Sequence, residues 1–516
     1  MNTAVKLTEE VQQLQGLLAV KAQQIVTQNQ QLSAKNDRIK HLEELLLSYR
    51  HKQFDASSEA NPHQGGLFNE PEDNLQEAVL RADDTPSVTV ARHQRKARPR
   101  VSIPDDLPRE EIVHDLPDSE KVCPHDGTAL TCIGEDIHEQ LDIVPAKIKV
   151  LRHIRKKYAC PCCEQYLVTA SKPKQPIEKS IAAPGLLAHV VVSKYADALP
   201  LYRQTQMFKR LGIELDRTNL ANWMIACGTL IQPLINLLQD KLHEQPVVHM
   251  DETPLQVLNE PAKTAQSQSY MWVQASTHAN PCPVVLFHYA PTRRQTVPIE
   301  QLGDYRGVLM VDGYEGYQGV CTQNSLTRLG CWAHARRKFI EAQRVQPKGK
   351  TGKADQALAF IQKLYALERK IKDDPPDKRY HARQQHAKPI IDKLQQWLDK
   401  SRPHVPPKTA MGKALGYLHK QWPRLTAYLD NGEYPIDNNR AENAIRPFVI
   451  GRKNWLFSAS QKGARASANL YSLIETAKAN GLEPYGYLKT LFTQLPNANS
   501  VADIEALLPW RDDVIK

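Results

Sequence analysis

Asp437-Asn438-Asn439-Arg440-Ala441-Glu442-Asn443-Ala444-Ile445-Arg446-Pro447 sets one glutamate among several cations. Its spacing predicts a short helix of about three turns, with Asp437 as N-cap and Pro447 as its stop. Asn438, Glu442 and Arg446 are four apart and share one face. Arg440, Arg446, Arg452 and Lys453 crowd positive charge around Glu442. Alone, such a stretch reads as a solvated helix. Two upstream aspartates change that reading.

The first ends the apolar run Val247-Val248-His249-Met250-Asp251, and the second ends Val308-Leu309-Met310-Val311-Asp312. Valine-rich runs of this length read as buried strands. An aspartate where a strand surfaces can hold a metal at the sheet edge. Two such aspartates and a helix-borne glutamate offer hard oxygen ligands for magnesium or manganese. Paired ions about 3.5–4 Å apart can clamp the attacking and leaving oxygens of a phosphodiester. Glu252, Glu315 and Glu475 are rival carboxylates. Cys331-Trp332-Ala333-His334 has metal-like spacing without an obvious partner pair, and reads as packing.

The stretches HMDETPLQV (249–257), VDGYEGY (311–317), LGCWAHARRKF (329–339), YPIDNNRAENAIRPFVIGRKNWLFS (434–458) and GLEPYGYL (481–488) resemble the insertion-sequence-66 family of bacterial DDE transposases. The resemblance runs over almost the whole chain. It implies a catalytic triad of Asp251, Asp312 and Glu442, served by magnesium or manganese. It implies binding of the element's terminal inverted repeats, cleavage at its 3′ ends and strand transfer into target DNA. Small accessory proteins of the same element are implied partners. Asp312 and Glu442 lie 130 residues apart, farther than a compact nuclease fold needs, so an insertion is expected between them. The alternative is a catalytically inactive, zinc-containing DNA-binding protein, a transposon-derived repressor.

A chain of 516 residues is too long for one core. Its net charge of +10 says less than the clustering of its cations. No apolar run approaches the roughly 18 residues that span a bilayer, and the N-terminus lacks an apolar signal core. The expected location is the bacterial cytoplasm, in association with the nucleoid and with no membrane. Five of the nine cysteines fall between Cys123 and Cys163. In a reducing compartment that bunching favours metal over disulfides.

The expected architecture is multidomain. Residues 1–52 form a coiled coil, since Val11, Leu18, Ile25, Leu32, Ile39 and Leu46 recur every seventh residue; a homodimer or higher oligomer follows. Residues 53–104 are a linker ending in a basic arm of Arg95, Lys96, Arg98 and Arg100 that can neutralise phosphates. Residues 105–175 form a small zinc-ribbon-like β module. Cys123, Cys160 and Cys163 are its zinc ligands, and the fourth is one of His125, Asp126 and Cys132. By the resemblance, Asp126 stands where a second CxxC would place a cysteine. An expected strand through 148–154, with Arg152 on it and Lys156 and Lys157 following, gives this module a basic face.

Residues 176–245 read as a helical, helix-turn-helix-like DNA-binding region, with Pro184 opening one helix, Gly212 ending another and Asp216 preceding a third. Residues 246–340 and 432–480 suit an α/β ribonuclease-H-like catalytic domain whose first and fourth strands are central neighbours. Residues 341–431 are its all-α insertion, and 481–516 a helical cap. Arg336, Arg337, Arg446, Arg452 and Lys453 are the expected DNA contacts of the catalytic domain.

Overall fold

The computed structural model describes residues 16–46 (19, 37, 40, 41 and 45 apart), 148–159, 167–277, 280–346 and 352–510. The basic arm from Arg95 to Arg100 lies outside the described residues. So do Cys123, His125, Asp126, Cys132, Cys160 and Cys163, and the heptad position Val11. The chain divides into two compact units: Leu80–Lys172, and Met1–Val79 together with Pro173–Lys516.

In the smaller unit, β1 (Lys157–Ala159) and β2 (Leu167–Thr169) form an antiparallel hairpin. The strand expected through 148–154 is not formed; those residues are exposed coil. Alternation alone makes no strand without a partner ladder. Pairing begins only where Lys157 meets Thr169. Arg152, Lys156 and Lys157 are all exposed.

The larger unit is built on one mixed sheet in the order β5-β4-β3-β6-β7, with β8 added beside the far end of β3. Its strands are β3 (Val247–Asn259), β4 (Gln268–Ser276), β5 (Val285–Ala290), β6 (Val308–Val311), β7 (Thr327–Gly330) and β8 (Ser458–Ser460). β3, β4 and β5 run antiparallel through short connections. Then α5 (Thr296–Leu302) carries the chain back, β6 and β7 run parallel to β3, and α6 (Gln318–Gln323) lies on the connection between them. The first and fourth strands of the sheet are therefore central neighbours.

Before the sheet come α1 (Pro184–Tyr195), α2 (Leu201–Arg210), α3 (Arg217–Leu230) and α4 (Gln232–His243). Pro184 sits at the start of α1, and the Asp216 carboxylate caps α3. Between α2 and α3, Gly212 takes a φ of +80°, which side chains avoid. α3 buries Leu220, Trp223, Met224 and Cys227 and packs on α13 (Gln461–Ala479). The two backbones approach so closely at Gly228 that an added Cβ would lie 2.7 Å from Ala466.

α13 also closes the open edge of β5. The N–H groups of Val285 and Phe287, unpaired by β4, donate to Thr476 Oγ1 (3.0 Å) and Ser472 Oγ (2.7 Å). These hydroxyls stand four residues apart on one helix face, so a helix satisfies an edge that would otherwise invite another strand. α14 (Pro484–Gln494) packs on α1, and α15 (Val501–Glu505) follows it.

A second core fills the expected insertion. α7 (Trp332–Arg344) leads into α8 (Lys353–Lys370), α9 (Pro376–Ala382), α10 (Lys388–Ser401) and α11 (Ala410–Thr426). Trp332, Phe339, Leu364, Leu394 and Leu418 are its fully buried centre. Arg383 is fully buried too. It pairs with Glu368 through two nitrogens and donates to the Tyr428 and Asn431 carbonyls. β7 stops at Gly330, and Trp332 begins α7 and turns its indole into this second core.

Residues 20–36 are helical in the N-terminal segment. Its heptad positions Leu18, Ile25, Leu32, Ile39 and Leu46 are between 54% and 69% exposed. Near its end, the Glu44 carboxylate accepts the first N–H of α11, from Ala410, at 2.8 Å. Among the described residues no single helix is long and apolar enough to cross a membrane.

Candidate active site

The register of the central strands determines what faces what. β3 and β6 pair Val247 with Val308, Val248 with Leu309 and His249 with Met310, a constant offset of 61 residues. Carried two residues further, that offset sets Asp251 beside Asp312. β6 ends at Val311, so Asp312 sits just past the strand, while β3 continues through Asp251 to Asn259. Asp312 Oδ1 accepts the Tyr314 N–H at 2.8 Å, and Arg328 of β7 donates to the Asp312 and Tyr314 carbonyls. That turn is thereby fastened to the sheet.

The third carboxylate arrives on α12 (Asn439–Trp455). Two expectations for this helix need correction. Its N-cap residue is Asn438, with Asp437 accepting the Asn439 N–H at 3.1 Å from just outside. Pro447 does not stop it: the helix runs on to Trp455. Proline removes one ladder hydrogen bond, but burial of Phe448 and Gly451 holds the following turns in place.

Asn438 is fully buried and pins the start of α12 to β3. Its Nδ2 donates to the Met250 carbonyl at 2.8 Å, and its Oδ1 lies 3.0 Å from His249 Nδ1. The residue after Met250 is Asp251, so one asparagine sets the distance between the glutamate helix and the first aspartate. Glu442 lies one turn in and is 6% exposed. Its carboxylate is gripped by Arg337 of α7 and stands 3.4 Å from His334 Nδ1.

The electrostatics show how close these groups are. Burial, then the charges of Glu252, Glu442 and Asp312, hold Asp251 well above the usual carboxylate range. Burial also raises Glu442; Arg337 opposes the rise, and Asp437 and Asp312 add to it. Burial and the nearby Arg337 push the His334 imidazole down to about 4, so it is neutral at physiological pH. Glu252, one residue after Asp251, is a fourth carboxylate here, with its side chain 2% exposed. Arg293 and the Tyr317 hydroxyl hold it, and Arg293 stacks over the Tyr314 ring at 3.8 Å.

Four carboxylates (Asp251, Asp312, Glu252 and Glu442) thus face two guanidiniums, Arg293 and Arg337. With all four ionised, two negative charges have no counterpart among these groups. A donor set of carboxylate oxygens with that deficit fits a hard divalent cation, which would offset the repulsion among them.

The rival carboxylates lie elsewhere. Glu315 turns to Lys420 and Arg424 of α11, at 3.0 and 3.6 Å. Glu475 pairs with its helix neighbour Lys478 at 2.9 Å. Of the expected DNA contacts, Arg337 spends its guanidinium on Glu442, and Arg452 donates to Thr253 Oγ1 of β3 at 3.1 Å. Arg336 and Arg446 are half-buried and Lys453 is exposed.

Sequence reasoning missed three features: the grip of Arg337 and His334 on Glu442, the Asn438–His249 link, and the Glu252–Arg293–Tyr317 cluster. The CxxH spacing at 331–334 was the one available signal for the first.

Comparison with known proteins fits this geometry. Residues 179–466 match the family model of the IS66 family transposases, and residues 472–510 match the IS66 C-terminal element. Residues 120–164, which contain every expected zinc ligand, match the zinc-finger binding domain of transposase IS66. Residues 41–112 match a model described as transposase C of IS166 homeodomain. The uncharacterized protein y4jD of Sinorhizobium fredii is 33% identical over 448 residues, which cover 84% of this chain and 86% of that protein. From the same organism, y4qI is 31% identical over 92% of this chain and 89% of its own length. A DDE transposase domain, a zinc-finger domain and a leucine-zipper-type region therefore lie on one chain, and that chain belongs to the IS66 transposase family.

Proposed function

We propose that this protein is a DNA transposase that binds the terminal inverted repeats of its element, cuts DNA there and joins the cut ends to target DNA. Asp251, Asp312 and Glu442 are its catalytic carboxylates, on a sheet of the ribonuclease-H-like type. The observation that carries this reading is the strand register: the offset between β3 and β6 equals the spacing of the two aspartates, and Asn438 ties the Glu442 helix to the same point of β3.

Asp251, Asp312 and Glu442 would hold magnesium or manganese, which when bound supplies charge stabilisation to the attacking and leaving oxygens of a phosphodiester. Arg337 opposes the burial-driven rise of the Glu442 pKa and orients its carboxylate. Arg446, Arg452 and Lys453 lie along the same helix as Glu442, where backbone phosphates would pass, and Arg336 flanks them from α7. Arg95, Lys96, Arg98, Arg100, Arg152, Lys156 and Lys157 provide further phosphate contacts. Arg217, Thr218 and Asn219, exposed at the start of α3, suit a groove-facing role. Zinc is held by Cys123, Cys160 and Cys163 with one of His125, Asp126 and Cys132. The exposed heptad stripe joins two copies through a coiled coil. This activity belongs in the cytoplasm, at the nucleoid, in company with accessory proteins of the element.

The test incubates the purified chain with labelled transposon-end DNA, with magnesium, with manganese and with chelator, in the presence of the element's accessory proteins. Metal-dependent 3′-end nicking is expected, abolished in Asp251→Asn and Glu442→Gln while end binding persists. Nicking that survives either substitution overturns the residue assignment. Binding without nicking under every ion favours a repressor instead.

A further inference from the structure

The CxxH segment that reads as packing acquires a third donor in the fold. Cys331 Sγ, a ring nitrogen of His334 and a carboxylate oxygen of Glu442 all lie within 4.8 Å of one another. We propose that these three residues form a binding site for a thiophilic divalent cation of the zinc class, distinct from the site between Asp251 and Asp312 and sharing Glu442 with it.

Three observations carry this. The first is donor chemistry. A thiolate, an imidazole and one carboxylate are the mixed S, N and O set that zinc-class ions favour over magnesium. The second is geometry. His334 Nδ1 stands 3.4 Å from Glu442 Oε1. That is the edge of a tetrahedron whose bonds are about 2.0–2.1 Å, the usual zinc–nitrogen and zinc–oxygen lengths. Nδ1 is buried, and its contact with Glu442 lacks hydrogen-bond geometry. A packing histidine normally satisfies such an atom; a ligand histidine leaves it for the metal.

The third is the setting of the sulfur. Cys331 is fully buried and is the N-cap residue of α7. Asn438, the N-cap residue of α12, donates its N–H to Sγ at 3.2 Å. Two helix N-termini therefore converge on one sulfur and hold it in place beside His334 and Glu442. On binding, the Cys331 thiol gives one proton to solvent, and no redox step is involved.

The consequence is competition for Glu442. Arg337 grips that carboxylate in the absence of metal. A cation seated on Cys331 and His334 would draw it toward α7 and away from the aspartates, so zinc-class ions should inhibit the carboxylate site that magnesium serves. This last consequence rests on the proposed transposase reading; the binding site itself does not.

The experiment uses the full chain with Cys160→Ser and Cys163→Ser, which silence the zinc-finger module, and cobalt(II) as the probe. A thiolate-to-cobalt charge-transfer band that saturates at one cobalt per chain is expected. Cys331→Ser should remove the band. His334→Ala should weaken binding by about 100-fold, and Asp251→Asn should leave it unchanged. Melting temperatures without metal identify any variant that fails to fold; His334, less buried than Cys331, keeps the test valid if Cys331→Ser does not fold. A missing band in the parent chain overturns the site, as does a band indifferent to folded Cys331 or His334 variants. Because cobalt binding is read without DNA, it separates this site from the transposase assignment, which stands or falls on nicking.

Discussion

The aspartates and the glutamate reach the same point by different routes. Asp251 and Asp312 are placed by adjacent strands, and the β3–β6 register alone sets them side by side. Glu442 is placed by contacts from distant parts of the chain: Asn438 to Met250, and Arg337 and His334 from α7. α7 is itself anchored in the insertion, where the Trp332 indole is fully buried and donates to the Leu425 carbonyl at 2.7 Å. Half of the site is thus a property of one sheet. The other half depends on a helical domain whose core lies outside the sheet.

The insertion should therefore be more than a spacer, and the sharpest way to break the comparison is to damage its core. Trp332→Ala removes a buried indole from the point where both halves join, at a cost of about 3–5 kcal/mol in stability. Urea unfolding should show that loss. Folded protein that remains should cut poorly, because α7 no longer holds Arg337 and His334 against Glu442. If the variant keeps full nicking activity per folded molecule, the insertion does not position the glutamate.

A smaller effect tests the grip itself. Arg337 opposes the upward shift of the Glu442 pKa, so Arg337→Ala should raise that pKa further. The carboxylate then stays protonated to a higher pH. Nicking should fall about 10–100-fold at neutral pH, and the acid limb of its pH profile should move to higher pH. Arg337→Lys should recover part of both. A lower rate with an unmoved acid limb would make Arg337 a DNA contact instead, the role its sequence context suggests.

The same division governs what was legible. The two valine-rich runs, the helix start at Pro184 and the glycine turn at Gly212 are local signals, and the structure has each of them. Even the pairing of the aspartates has a local trace, since their spacing equals the strand offset. The misses have distant causes. α12 continues through Pro447 because Phe448 meets Phe287 and Tyr471, from elements far away in sequence. His334 seemed unpartnered because its partner, Glu442, lies more than a hundred residues further on. The expected strand at 148–154 had the right alternation and nothing to pair with. Periodicity reports which face of an element is apolar. It cannot report which distant side chain will stand opposite a polar one.

The smallest expected effect concerns the sheet-borne half alone. Asp251 is held above its usual range first by burial and then by three neighbouring carboxylates. A raised folded-state pKa means that the folded chain binds this proton more tightly than the unfolded chain does. Stability from this group is then full below the unfolded value of about 3.9 and declines as pH rises through the folded value. Asp251→Asn removes that decline. Without metal the variant should melt higher than the native chain at neutral pH and match it near the acid end. Magnesium should raise the melting temperature of the native chain more than that of the variant, because the cation relieves the repulsion that the substitution has already removed. Equal melting temperatures across the whole range would mean that the three neighbours do not strain Asp251. The sheet would then hold its aspartates as neutrally as it holds any other strand residue, and the demand for a cation would have to come from Glu442.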